Sequence, residues 1–199
     1  MRALTLGGMK ARTFAPLKLD VAAFAREAAS LQGEWSLMDL PRLAEAGAPE
    51  RPAQDWPAVR WTARGELRQP RGGEAQVWLL LEAQAQVWLS CQRCLKPVQS
   101  DLQVSRWFRF ARDEVAAAEL DMDSDDDVLA LVRNLDLREL AEDELLLELP
   151  VVPRHEVCPD PLPVPTEEAG EVQEQAEASE RPNPFAALAA LKKGQAGQS

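Results

Sequence analysis

Hydrophobic and polar residues alternate with period two along three successive stretches of this chain, the pattern of half-buried β-strands. From Trp56 to Leu67, Val59, Trp61, Ala63 and Leu67 fall on one face, while Arg60, Thr62, Arg64 and then Arg68 fall on the other. From Ala75 to Cys91, Ala75, Val77, Leu79, Leu81, Ala83, Ala85, Val87 and Leu89 form the apolar side. Gln76, Trp78, Glu82, Gln84, Gln86 and Trp88 oppose them. From Val98 to Phe110, Val98, Leu102, Val104, Phe108 and Phe110 share a side, with Arg106 as an exception. Pro70-Arg-Gly72-Gly73 is a tight-turn signal between the first two stretches. Connections this short join antiparallel neighbours, so the expected centre is an antiparallel β-meander of at least three long strands, not a doubly wound parallel sheet.

Helical periodicity flanks the meander. Asp20 is placed to cap a helix from Val21 to about Leu31, with Val21, Phe24, Ala25 and Ala28 on one face and Gly33 as its terminator. A short element of ambiguous type covers Leu37–Leu43, and Gly47, Pro49 and Pro52 make the next segment a loop. Asp136-Leu-Arg-Glu139 reads as the capped start of a helix running to about Glu148, burying Leu137, Leu140, Ala141 and part of Leu145–Leu147. The acidic run before it, with Asp121-Met-Asp-Ser-Asp-Asp-Asp127, is expected to be a solvated loop. Pro150-Val-Val-Pro153 forces an extended exit. Residues 159–182, rich in Pro, Glu, Gln and Ala, have the composition of a flexible linker. Asn183 and Pro184 then suit the start of a short C-terminal helix with Phe185, Leu188 and Ala189 on one face. The expected architecture is α+β, with one domain over 1–158, a linker over 159–182 and a short helix and tail over 183–199.

Composition narrows the class. Of 199 residues 46% are hydrophobic and 28% charged, the make-up of a folded protein with a core of ordinary size. No stretch is long and apolar enough for a membrane span, and the first residues lack a secretion signal, so a cytoplasmic protein is expected. Three cysteines argue against a disulfide scaffold. A net charge of −11 argues against nonspecific polyanion binding. The charge is unevenly spread, however. Residues 1–111 hold 15 basic and 11 acidic side chains, and residues 112–148 hold 3 and 14. Residues 149–199 hold 4 and 8. The strand-bearing part is therefore mildly basic, and one block equals the whole anionic excess, which suggests separate electrostatic roles.

Two constellations carry candidate chemistry. Cys91-Gln-Arg-Cys94 sits at the turn between the second and third strands, where two thiolates can share one zinc ion. His155-Glu-Val-Cys158 holds the only histidine and the remaining cysteine, so Cys91, Cys94, His155 and Cys158 make a candidate Cys₃His site. The long gap between the halves favours the alternative of two turn cysteines and an unrelated His and Cys. A thioredoxin-like role needs a helix after the motif, whereas Leu95-Lys96-Pro97 leads into a strand. On the polar side of the meander, Arg60, Arg64, Arg68 and Arg109 interleave with Trp78, Trp88 and Trp107. Such a face can stack bases and hold phosphates. The competing reading covers this face with the acidic helix of 136–148, whose carboxylates would pair with the arginines. No P-loop, G-x-G-x-x-G or H-E-x-x-H pattern is present, and an enzyme is not expected.

Three segments taken together resemble the YceD family, whose members are large ribosomal RNA subunit accumulation proteins. They are Cys91-Gln-Arg-Cys-Leu-Lys-Pro97, the stretch Asp136-Leu-Arg-Glu-Leu-Ala-Glu-Asp-Glu-Leu-Leu-Leu-Glu-Leu-Pro-Val-Val-Pro153, and Arg181-Pro-Asn-Pro-Phe-Ala-Ala-Leu-Ala-Ala-Leu-Lys192. The resemblance implies a bacterial cytoplasmic factor that supports synthesis, processing or stability of 23S rRNA, and it supplies no catalytic residue. Some relatives carry a fuller cysteine cluster after the Pro-Val-Val-Pro segment, where this chain has His155 and Cys158. Two modes of action follow as expectations. In one, the arginines and tryptophans of the sheet bind rRNA or an early assembly intermediate. In the other, the acidic block screens a basic ribosomal protein while Asn183, Pro184, Phe185 and Leu188 dock a partner.

Overall fold

The computed structural model describes residues 12–122 and 124–159. The expected linker and tail helix, with Asn183, Pro184, Phe185 and Leu188, lie outside them. The elements run α1 (Val21–Arg26), β1 (Ser30–Trp35), α2 (Pro41–Glu45), β2 (Val59–Arg68), β3 (Gln76–Ser90), β4 (Pro97–Ala111), α3 (Glu114–Asp121), β5 (Asp127–Ala130) and α4 (Leu137–Leu147). The fold is α+β around one five-stranded sheet in the order β1-β2-β3-β4-β5. No described helix is long and apolar enough to cross a membrane.

The meander is β2-β3-β4, antiparallel throughout, with Trp61 opposite Ala83 and Leu79 opposite Phe108. The β2–β3 turn closes through Gly72, whose φ of +77° suits a residue without a Cβ. One face is covered. Val59, Trp61, Ala63, Leu79, Leu81, Val104 and Phe108 are buried there with Phe24 of α1 and Leu137, Ala141 and Leu145 of α4. Gly65 lets α1 lie directly on β2, since a Cβ there would come 2.7 Å from the Ala25 nitrogen and the Phe24 carbonyl carbon.

Four expectations need correction. The sheet is mixed rather than purely antiparallel, because β5 pairs parallel to β4, with Phe110 opposite Leu129. The same strand means that the acidic run is not a continuous loop. Asp113 caps α3 by accepting from the Ala116 N–H, and the chain then returns as β5. Second, the first helix stops at Arg26. Ala28, at φ 45°, takes the left-handed position of a Schellman cap. Its N–H donates to the Ala25 carbonyl and the Ala29 N–H to that of Phe24. Gly33 is therefore not a terminator but part of β1, beneath the Trp61 indole, which lies 2.9 Å from where a Cβ would be. Third, Leu67, assigned to the apolar side, is 43% exposed, because α1 does not reach the end of β2. Fourth, Leu140 is only half-buried, on the flank of α4 rather than beneath it.

The acidic helix is bound to its surroundings by its own carboxylates. α2 has no cap of its own, and Glu142 supplies one from α4, accepting from the backbone N–H groups of Arg42 at 2.8 Å and Leu43 at 3.2 Å. The Arg42 guanidinium pairs with Asp143 and Glu142, which raise its pKa further. Glu144 is buried and faces Arg106 of β4, with Nε 2.9 Å from Oε2.

Candidate metal site and candidate nucleic-acid face

The β3–β4 hairpin ends in a knuckle. The Cys91 N–H donates to the Lys96 carbonyl at 3.0 Å, and the Leu95 N–H to the Cys91 carbonyl at 2.9 Å. To close it, Leu95 adopts φ +60°, a conformation that costs a non-glycine residue about 1 kcal/mol. The exit strand comes back over this tip, and the Gln92 N–H donates to the Pro153 carbonyl. That crossing brings His155 and Cys158 onto the knuckle despite their distance in sequence.

The donor atoms of Cys91, Cys94, His155 and Cys158 all lie within 4.8 Å of one another, close enough to hold one metal ion. Cys91 and Cys158 are buried with their sulfurs 3.9 Å apart, and Cys94 Sγ is 3.4 Å from His155 Nδ1. A tetrahedral zinc with Zn–S bonds of ~2.3 Å has S···S edges of about 3.8 Å and slightly shorter S···N edges. All three cysteines are free thiols. His155 Nε2 lies 3.1 Å from the Pro97 carbonyl, which can only accept, so Nε2 is the donor there and Nδ1 is the ring nitrogen turned to the thiols. Arg93 braces the second half of the site. Its Nε donates to Cys158 Sγ at 3.1 Å and its NH2 to the carbonyls of His155 and Glu156.

Burial pushes the Cys91 thiol up, yet the backbone N–H groups of Cys94, His155 and Arg93 outweigh it and bring it from 9.0 down to about 5. For Cys94 the Lys96 N–H works downward, but burial and the thiols of Cys158 and Cys91 together leave it raised. The cluster thus stabilises thiolate unevenly, as expected of thiols crowded together. A fourfold juxtaposition favours the metal-site reading over that of unrelated residues. Arg93 was not singled out from the sequence, although a cation between the two knuckle cysteines is the available signal.

The Arg/Trp candidates lie on the sheet face opposite the helices. The Arg68 guanidinium lies 4.1 Å from the Trp78 ring and 4.2 Å from the Trp107 ring, and that of Arg64 lies 5.5 Å from Trp107. Trp78 and Trp107 meet edge to face at 6.4 Å. Arg109 sits opposite Trp78 in the register. Trp78 is nevertheless buried, with the Arg68 guanidinium over its ring, so the group offered outward there is the guanidinium rather than the indole. Arg60 lies further along β2, beside Gln84. Trp88 is not part of the ladder: at the far end of β3 it packs on Trp56 and under Arg51. A trough of about 750 Å³ continues from the ladder across the same face, floored by outward residues such as Gln32, Thr62, Gln84, Gln103 and Ser105.

The acidic helix does not lie over this ladder. Arg106 and Trp107 are successive residues of β4, and Glu144 reaches Arg106, on the side where Val104 and Phe108 are buried. Among the described residues the acidic block thus pairs with Arg42 of α2 and with Arg106, which Asp127 of β5 also holds, and not with Arg60, Arg64, Arg68 or Arg109.

No solved structure matches the chain. The family model described as "Large ribosomal RNA subunit accumulation protein YceD" matches residues 79–192, which take in most of β3, all of β4, the acidic block and all four donors of the metal site. With more than half of its length matched in this way, the chain belongs to the YceD family of large ribosomal RNA subunit accumulation proteins.

Proposed function

We propose that this protein is a non-enzymatic, cytoplasmic factor in biogenesis of the large ribosomal subunit, and that it contacts 23S rRNA or an early assembly intermediate through the open face of its sheet. One observation carries the reading: Arg64, Trp107, Arg68 and Trp78 form a cation–π ladder beside a polar trough, on the face that the described helices leave uncovered. Guanidinium groups held beside indoles can stack an unpaired base and meet a phosphate with their remaining N–H groups. The trough offers amides and hydroxyls to ribose and base edges. Glu34, Glu66 and Glu82 share the face with the arginines, which suits selective contact with a shaped RNA rather than tight binding of any polyanion. Replacing Arg60, Arg64 and Arg68 together with Glu should lower in-cell crosslinking to 23S rRNA by roughly tenfold or more, since three phosphate-contacting charges are inverted. Unchanged crosslinking in a variant with wild-type circular dichroism rejects the reading.

The metal we propose for the Cys₃His cluster is zinc, in a structural role. The knuckle geometry, the tetrahedral spacing and the Nε2-anchored histidine support it. With all four positions filled by protein, the ion would clasp the hairpin tip to the exit strand and leave no open position for catalysis. Purified protein should carry one zinc per chain. Cys91→Ser/Cys94→Ser should lose it together with about 4 kcal/mol of stability under zinc a thousandfold above Kd. Absence of stoichiometric metal after a gentle preparation counts against the clasp.

A further inference from the structure

We infer that the groove between α3, β5 and α4 is a docking site for a Lys/Arg-rich polypeptide segment carrying aliphatic anchors. The groove encloses about 630 Å³, room for several side chains, with Phe110, Ala118 and Val128 in its lining. Val132, 45% exposed, stands at its mouth. Glu114, Asp121 and Glu139 are also in the lining, and no Lys or Arg is. These three carboxylates differ from the other acids there. Asp136 caps α4 and Asp143 holds Arg42, whereas Glu114, Asp121 and Glu139 have no ion-pair partner among the described residues.

The chemistry of the occupant follows from this pairing. An apolar floor calls for an aliphatic anchor, and unpaired carboxylates at the rim call for ammonium or guanidinium groups beside it. A nucleic acid would meet repulsion, and a free cation would leave the floor wet. A polypeptide that alternates aliphatic and basic residues meets both demands. Among the described residues β5 is also the last strand of the sheet, paired only with β4, so the groove opens at an edge there. The inference does not rest on the RNA reading. It gives the molecule a second surface, opposite in sign to the Arg/Trp ladder.

The test uses the full chain and a synthetic helical peptide of Lys and Leu, read by fluorescence anisotropy at physiological salt. Two control peptides replace every Lys with Gln, or every Leu with Ala, and each should bind at least roughly tenfold more weakly. Ala118→Arg, which fills the groove and inverts its charge, should weaken the Lys/Leu peptide at least roughly tenfold. Glu114→Gln/Glu139→Gln, which leaves the shape intact, should weaken it roughly fivefold. Both variants should retain wild-type 23S rRNA crosslinking. Equal affinity for the Ala-substituted peptide overturns the proposal, because charge alone would then explain binding. Wild-type affinity in both variants overturns it as well. Loss of rRNA crosslinking in a folded Glu114→Gln/Glu139→Gln variant would make the groove an RNA surface instead.

Discussion

Arg106 and Arg68 face opposite sides of one sheet and do different work there. Arg106 points into the covered side, where it meets Glu144 at 2.9 Å and Asp127 at 3.3 Å. Arg68 points to the open side, where it lies on two indoles and touches one carboxylate, Glu66. The first arginine neutralises a charge that the fold itself has buried. The second is held beside two indoles and stays partly exposed. A cation on a sheet is therefore a structural counterion or a ligand-facing group according to what the tertiary fold places above it.

The largest effect that can break this comparison is on the covered side. Arg106→Ala strands the Glu144 carboxylate and should cost about 2 kcal/mol, less than a fully buried pair because Arg106 itself is partly exposed. Arg68→Ala removes exposed cation–π contacts and should cost under about 1 kcal/mol. Urea unfolding of the two variants side by side decides; equal costs would erase the distinction.

A second measurement sharpens it through pH. Burial raises the Glu144 pKa, and Arg106 at poor hydrogen-bond alignment offsets this only in part. A carboxyl raised on folding contributes stability that is present below its ordinary value of 4.5 and lost as pH rises through the higher folded value. Relative to wild type, Glu144→Gln should therefore gain stability as pH rises from about 4.5 towards neutrality. A difference between the two proteins that stays flat, or runs the other way, would show that Arg106 fully compensates the buried charge.

The smallest effect serves as a control away from both faces. Leu95 is 69% exposed and holds φ +60° at the knuckle. Leu95→Gly should relieve the strain and stabilise the protein by about 0.5 kcal/mol after the entropy of the freer unfolded chain is counted. Thermal unfolding checks it, and a loss of stability would mean that Leu95 packs against something its exposure does not reveal.

Much of the fold was legible because period-two alternation over β2, β3 and β4 is a long and unambiguous signal. The cap of α4 was also legible: Asp136 accepts from the N–H groups of Arg138 and Glu139, as its position before Leu137 suggests. β1 and β5 were not. β1 carries Gly33 mid-strand and follows an alanine in a left-handed cap, so local preferences point elsewhere. β5 is four residues long and sits in an acidic run; only pairing with β4 makes it a strand. The candidate site divides similarly. The identities of Cys91, Cys94, His155 and Cys158 could be read off, but their convergence could not, because the crossing of the exit strand over the hairpin tip is a long-range event.

By itself the sequence determined which side chains the three meander strands offer to each face, where the knuckle lies and which block holds the anionic excess. These are properties of local spacing, fixed by the geometry of extended and helical backbone. The tertiary structure alone decided which face the helices cover, and so that Glu142 and Glu144 are internal partners rather than a screen over the arginines. It also decided that Glu114, Asp121 and Glu139 are left around an apolar groove. Burial belongs to the whole packed chain, and a charge takes its role from what lies opposite it, which no local pattern records.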